Sequence, residues 1–391
     1  MRTEVAIIGA GPAGMLLSHL LAGDGVESVV LETRSEAHVA ARIRAGVLEQ
    51  STIDVLTNAG LGDRLAREGG QHQGIYLTWP EDDVFIDFEE LTGRSTVVYG
   101  QGEVQKDLIT AAHRRGQQVV YEVSDTQIHD IDTVHPCVTY TDADGNPARL
   151  DAAVIAGCDG SFGPSRSAVP EEDRTRFERS YPHSWLGVLA QVAPSTDHVR
   201  YAWHPDGFAM HSMRSPSVSR LYLQVPAGTD VAEWSDDRIW STLSTRLGSG
   251  RREFELISGP ITEKSVLAMR SLVQTPMRSG RLFLAGDAAH ILPPTGAKGL
   301  NLAVADVALL APALVGLVRK DDPESAGTYS QRALARVWRA THFAWWMTSM
   351  LHSAEDPFQA QLQLSQLRWL ARSRAARTDL AENFAGVDLH A

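Results

Sequence analysis

The hydrophobic pattern changes period twice within the first thirty residues. Val5-Ala6-Ile7-Ile8 is an unbroken apolar run, as in a strand buried on both faces. Met15 to Ala22 repeats its apolar residues at helical spacing, and Val26 to Leu31 is strand-like again. A glycine turn, Gly9 to Gly14, separates the first two, so the pattern predicts a βαβ unit. Farther on, Gly74 to Phe88 and Cys137 to Leu150 read as sheet, the latter folded at Asp142-Ala143-Asp144-Gly145. From Trp185 to Val225 alternation dominates, in Val199-Arg200-Tyr201-Ala202-Trp203 and again in Ser219 to Val225, which predicts an antiparallel sheet. Ala152 to Ala156 and Arg281 to Ala285 return to buried-strand character, and most of the chain from Gly299 onward has helical spacing. The segments 170–173 and 320–323 read as surface connections. The fold class is therefore α/β: a Rossmann-like domain, an interleaved antiparallel-sheet domain and a helical C-terminal region.

Composition narrows the partners. With 391 residues the chain is long enough for two or three domains of ~100–200 residues. An apolar fraction of 43% with 21% charge excludes wholesale disorder. The net charge of −12 argues against a nucleic-acid partner, because phosphate binding needs a basic face. The strongly apolar stretch Val307 to Val318 falls short of the ~20 residues of a bilayer span, and the N-terminus fits neither a signal nor a transit peptide. Cys137 and Cys158 make no disulfide framework and no metal cluster. A soluble cytoplasmic enzyme is the expectation.

Chemistry enters with the glycines. Gly9-Ala10-Gly11-Pro12-Ala13-Gly14 is G-x-G-x-x-G between a strand and a helix. Gly9 allows the tight turn, Gly11 lets backbone approach a pyrophosphate, and Gly14 packs helix against strand. Glu32, about 18 residues on at the end of the second strand, stands where a ribose hydroxyl is held. A dinucleotide is the expected ligand. Gly286-Asp287, at the end of another buried strand, offers a carboxylate to a ribityl or ribose hydroxyl, and Asp159-Gly160 closes a third. Either pair alone is a common turn. A disulfide reductase would share the N-terminal turn but needs a closely spaced redox cysteine pair, which Cys137 and Cys158 do not supply. A non-enzymatic dinucleotide-binding protein is a further reading.

Taken together these motifs resemble the FAD-binding set of the group A flavoprotein monooxygenases. The likeness extends to Arg42-Ile43-Arg44-Ala45-Gly46-Val47-Leu48-Glu49-Gln50, Tyr99-Gly100-Gln101, Tyr181-Pro182, Trp185-Leu186-Gly187 and the run from Pro293 to Asn301, so it covers nearly the whole chain. The longer strings resemble the branch of that family acting on 4-hydroxybenzoate. The resemblance implies an FAD enzyme that uses NADH or NADPH and O2, through a C4a-hydroperoxyflavin, to convert 4-hydroxybenzoate to 3,4-dihydroxybenzoate. It implies a discontinuous FAD-binding domain (1–72, 98–178 and 271–318), a substrate-binding sheet domain (73–97 with 179–270), and a helical C-terminal interface region (319–391) of a homodimer. Arg214 would clamp the substrate carboxylate, helped by Ser212 and Tyr222. Tyr201 would contact the 4-hydroxyl, Trp185, Val199 and Met210 would form apolar walls, and the Pro294 carbonyl would face the ring. On the cofactor, the resemblance assigns Arg44 to the pyrophosphate, Gln101 to the adenosine half, Asp287 to the ribityl chain and the Asp159 segment to both FAD and the nicotinamide coenzyme, with Arg42 also cofactor-binding. Arg220 would meet the flavin. Lys298, Gly299, Leu300 and Asn301, at a helix N-terminus, would bring positive potential to the flavin edge.

Three departures stand out. The family relay runs from the substrate tyrosine through a second tyrosine to a histidine; Tyr201 and His72 are present, but the middle position is Phe384, which carries no proton. Val199 is smaller than the expected leucine. Both changes suggest relaxed or shifted use of substrate, with 3,4-dihydroxybenzoate giving a trihydroxybenzoate, or another 4-substituted benzoate. Finally, Arg34 and His38 stand against Glu32 and Glu36 where the coenzyme is chosen, and Phe162 replaces a histidine, which tilts the expectation to NADH or mixed use.

Overall fold

The computed structural model describes residues 1–41, 46–80, 82–320 and 322–386. The apolar run at the start becomes strand Arg2–Ile8, with Val5, Ala6 and Ile7 fully buried. It lies at the middle of an eight-stranded sheet, paired in parallel with Ser28–Leu31 on one side and Pro147–Gly157 on the other. Gln118–Val120 and Leu282–Leu284 extend the parallel core, and Cys137–Thr141 with Ser124–His129 add an antiparallel flap. The second strand begins at Ser28 rather than Val26, because the Val26 N–H closes the end of helix Pro12–Gly23 on Leu21 O at 2.9 Å.

That helix packs against helices Gln101–Arg115 and Gly299–Arg319. Gly299–Arg319 is the one helix among the described residues long and apolar enough to cross a membrane, and most of it is buried inside this chain. Its apolar character thus reflects contact on several sides with protein.

The second eight-stranded sheet runs His290–Ile291, Ile261–Thr275, Thr175–Ala190, Val218–Pro226, Ala209–Ser215, Val199–Ala202, Gly74–Trp79, Asp82–Asp87. It is mixed rather than wholly antiparallel: Val199–Ala202 pairs in parallel with Gly74–Trp79. The expected boundaries at 178/179 and 270/271 fall inside continuous strands, since Thr175–Ala190 and Ile261–Thr275 run on as one long ladder.

Alternation along these strands divides two cores. One face presents Leu186, Val188, Ala202, Ala209, Leu221 and Leu223 to Ile239 and Leu243 of helix Asp236–Leu247, which Ser235 caps by accepting the Arg238 N–H. The other carries Trp185, Val199, Tyr201, Met210 and Tyr222 and is covered by helices Pro323–Leu351, Pro357–Arg372 and Arg374–Ala385 through Phe343, Met347, Leu367 and Phe384. Phe343, Ala344 and Met347 of the aromatic run are core.

Candidate active site

The fingerprint turn has the geometry its glycines require. Gly9 has φ +102°, and a side chain there would strike the backbone of Cys158 and Asp159. A Cβ on Gly14 would collide with Gly9 O, whereas one on Gly11 would meet nothing within 4 Å. The open side of the turn is therefore at Gly11, beside the free N–H groups opening helix Pro12–Gly23, which is a cradle for an anion. Glu32 braces the turn: its Oε2 accepts the Ala10 N–H at 2.8 Å and its Oε1 that of Arg34 at 2.9 Å. Gln105 donates to Ala10 O at 2.9 Å from the helix that Gln101 begins.

Two strand-end aspartates converge on this half. Asp159 Oδ2 accepts the Ser165 N–H at 2.8 Å, while its Oδ1 is buried with no partner. Burial pushes its carboxyl up despite the Ser165 bonds. Asp287 lies in a turn that starts at Gly286 (φ +63°). Arg166 clamps that turn by donating to Ala288 O at 2.9 Å and to Asp287 O. Asp306 anchors it from below, its Oδ2 accepting the Gly286 N–H at 2.8 Å and lying 2.7 Å from His290 Nε2. Burial opposes a charge on His290, yet Asp306 carries its pKa up.

The open cradle at Gly11, the orphaned Asp159 oxygen and the bare N-terminus of Gly299–Arg319, where a Cβ on Gly299 would meet nothing within 4 Å, fit an elongated dinucleotide. Arg42 and Arg44 lie outside the described residues.

Pairing register assembles the substrate side. Tyr201 lies opposite Met210, Met210 opposite Tyr222, and Tyr222 opposite Gly187, one row across four strands. Period-two alternation then sets Val199 with Tyr201, Ser212 with Met210, Arg220 with Tyr222, and Trp185 with Gly187 on that face. Gly187 gives the Tyr222 ring its space, since a Cβ there would come within 3.0 Å of the ring. Trp185 lies 4.6 Å from Tyr222 between ring centroids.

Arg214 is half-buried against Gly100, where an added Cβ would collide with its guanidinium. The sheet face and the FAD-binding half meet there. Arg214 has no ion pair among the described residues; burial and the Arg220 charge both lower its pKa. Arg220 stands 5.4 Å from the Tyr222 ring with Nε and Nη1 buried and unpartnered. Ser212 Oγ donates to Met213 O at 3.3 Å.

Over this face lies the loop leading to helix Gly299–Arg319. The buried Tyr201 hydroxyl donates to Thr295 O at 3.2 Å, and burial raises its pKa. Pro294 O accepts the Ala297 N–H at 2.9 Å within the turn. Lys298 turns its ammonium into the protein, 2.6 Å from Glu49 Oε1 and 3.1 Å from Phe384 O, so its charge is largely met by Glu49. Burial nonetheless lowers its pKa. The Asn301 side chain is also committed, accepting from Glu49 N–H and Thr52 Oγ and donating to Val47 O and Ala297 O. What the segment 299–301 offers a ligand is backbone.

Phe384 stacks on Phe88 at 5.0 Å and meets Tyr201 edge-on at 6.4 Å. His72 instead points to Gly74 O and Met213 Sδ, and the structure joins it by no hydrogen bond to Tyr201. Sequence reasoning missed Arg166, Gln105, Asp306 and the Glu49–Lys298 pair. Only Glu49 and Lys298 belonged to a quoted motif, and no periodicity marks the others.

A model of the FAD binding domain family matches residues 2–344. The chain is 45% identical over 390 residues to p-hydroxybenzoate hydroxylase of Acinetobacter baylyi, covering 99% of this chain and 96% of the relative. It is 28% identical over 327 residues to a probable NADH-specific resorcinol 4-hydroxylase of Rhodococcus jostii, covering 79% of this chain and 58% of that longer protein. Among solved structures, p-nitrophenol 4-monooxygenase from Pseudomonas putida shares the fold, with a TM-score of 0.80 at 19% identity and 99% of both chains covered. Fold and site thus define an FAD-binding oxidoreductase. The chain belongs to the family of flavin-dependent aromatic monooxygenases with this FAD binding domain.

Burial lowers the His72 pKa to about 4, against 6.5 in the unfolded chain, with Gly74 O opposing. The unfolded state therefore takes the proton first. The stability from keeping His72 neutral is complete above about pH 6.5 and declines as pH falls toward 4, by about 3 kcal/mol in all. Urea midpoints at pH 7 and pH 4.5 should show a smaller acid loss in His72→Asn than in the parent; equal losses would exclude this linkage.

Proposed function

We propose that this chain is an NAD(P)H- and O2-dependent hydroxylase that converts 4-hydroxybenzoate to 3,4-dihydroxybenzoate. The observation carrying the reading is the Arg214 guanidinium, half-buried with no ion pair among the described residues, near Arg220 and Tyr222. FAD, when bound, would supply the redox chemistry of hydride acceptance from the coenzyme and of oxygen transfer from O2. Gly11, Glu32, Asp159, Asp287 and the backbone of 299–301 would hold it.

The remaining work falls to side chains of this protein. Arg214 binds the carboxylate as a bidentate cation, with the Ser212 and Tyr222 hydroxyls beside it. Tyr201, held protonated by burial, exchanges its bond to Thr295 O for one to the substrate's 4-oxygen. Donation to that oxygen favours the phenolate, which enriches the adjacent ring carbon. Trp185, Val199 and Met210 keep water out. Phe384 offers no hydroxyl near the 3- and 5-positions, which also favours turnover of 3,4-dihydroxybenzoate.

The purified FAD-loaded protein should oxidise NAD(P)H faster with 4-hydroxybenzoate and release 3,4-dihydroxybenzoate, with 3,4-dihydroxybenzoate assayed in parallel for a trihydroxy product. Arg214→Gln should raise KM for the acid about 10- to 100-fold, the range of a lost hydrogen bond to charge, with FAD retained. An unchanged KM would remove the clamp.

For the coenzyme, Glu32 and Glu36 flank Arg34 and His38, and Glu36 Oε2 already engages His113 at 2.8 Å. That acidity supports NADH or mixed use, because a 2′-phosphate adjoining these carboxylates would be repelled. The ratio of kcat/KM for NADH and NADPH tests it, and a large NADPH preference would reverse it. A homodimer is supported by Phe358, Leu362 and Trp369, exposed by 71%, 48% and 59% along one stripe of helix Pro357–Arg372. Light scattering should give twice the chain mass for the parent and a lower mass for Trp369→Asp.

A further inference from the structure

The C-terminal helices contribute more than cover. Trp185 is 1% exposed, so its indole N–H needs an acceptor inside the protein. It finds one in His352, which follows the last turn of helix Pro323–Leu351: Trp185 Nε1 lies 2.5 Å from His352 Nε2. The other ring nitrogen, Nδ1, is 2.9 Å from Thr348 O. A carbonyl only accepts, so Nδ1 carries the proton and Nε2 presents the lone pair that the indole requires. The two bonds specify one tautomer.

The imidazole itself is fixed on every side. It stacks on His183 at 4.3 Å and 8°, and on Phe208 at 4.5 Å and 28°. Its carbonyl accepts from Gln363 Nε2 at 2.7 Å, and Gln363 Oε1 accepts the Trp203 indole N–H at 2.8 Å. Burial, and then the neighbouring His183, drive its pKa well below the ordinary value, against the opposing Thr348 bond. The same helix end also reaches the opposite side of the pocket: Thr348 Oγ is 2.9 Å from Thr295 Oγ, and Thr295 O receives the Tyr201 hydroxyl.

We propose that His352 is a positioning residue for the aromatic acid, holding the Trp185 indole, and through it the wall beside Tyr222, in one orientation. The inference rests on the reading above that the acid lies against Trp185. An apolar residue at 352 would strand a buried indole N–H, and the ring would turn to find water or a carbonyl, spoiling the wall. Glutamine would restore the acceptor and could still donate to Thr348 O.

The test measures the affinity of the FAD-loaded protein for 4-hydroxybenzoate by perturbation of the flavin absorption. His352→Leu should weaken binding about tenfold, the cost of one unsatisfied buried donor, with FAD content unchanged. His352→Gln should return it to within about threefold, and in a Trp185→Phe background His352→Leu should add less than about twofold. Unchanged affinity in His352→Leu, equal damage in His352→Gln, or the full loss persisting without the indole would each overturn the proposal. Trp185→Phe alone separates the two readings: if it leaves affinity intact, the placement of the acid against Trp185 fails first, and this proposal with it. Should His352→Leu not fold, the indole N–H resonance of Trp185, assigned with Trp185→Phe, decides. Slow exchange and a strong downfield shift are expected, and a solvent-like signal would overturn the assignment.

Discussion

A half-buried cation with no ion pair among the described residues is the constraint on which the candidate site depends. Arg214 is half-buried beside Gly100, with no ion pair among the described residues; Arg220 adds like charge, opposed by the charge of Glu103. Desolvation makes both unfavourable in isolation. In the proposed reading, a small carboxylate between the sheet and the Gly100 corner would relieve that penalty. The protein spends its other buried charges differently. Lys298 is answered by Glu49, and His290 by Asp306, each within 3 Å. Arg200 and Arg246, also buried, are met instead by the backbone carbonyls of Leu247, Phe208 and Gln224.

Much of this was legible in the sequence where a short-range rule governs. The Gly9–Gly14 turn, its flanking strand and helix, and Glu32 follow from local sterics and from a two-residue or 3.6-residue period. The substrate face was equally readable once strands were assumed, because Val199 with Tyr201, Met210 with Ser212, and Arg220 with Tyr222 are each two residues apart. What escaped was everything decided by distant packing. Nothing local says that Lys298 will turn toward Glu49, some 250 residues earlier in the chain, rather than toward a ligand. Nothing local sets His352 beneath Trp185. A single histidine after an amphipathic helix looks like any surface histidine until the sheet it docks against is known.

The C-terminal helices also explain why Phe384 is tolerated. Its ring joins Phe88, Phe343 and Tyr201 in an aromatic cluster that fills the space above the sheet. Edge and face contacts of this kind hold a ring without any polar anchor. The hydroxyl's absence therefore costs the packing nothing and alters only the polarity next to Tyr201. His72 faces Met213 and Gly74 rather than Tyr201.

The long ladder between Thr175–Ala190 and Ile261–Thr275 shifts register twice, at Leu189/Ala190 near one end and between Ser180 and Ser184 near the middle, where three residues of one strand oppose a single residue of the other. Pro182 sits in that gap and has no N–H to lose. On either side of the proline the two rings are held by different partners: the Tyr181 hydroxyl lies 3.0 Å from Ser271 Oγ, and His183 stacks on His352 at 4.3 Å, so the irregular stretch of the ladder also carries one wall of the aromatic core.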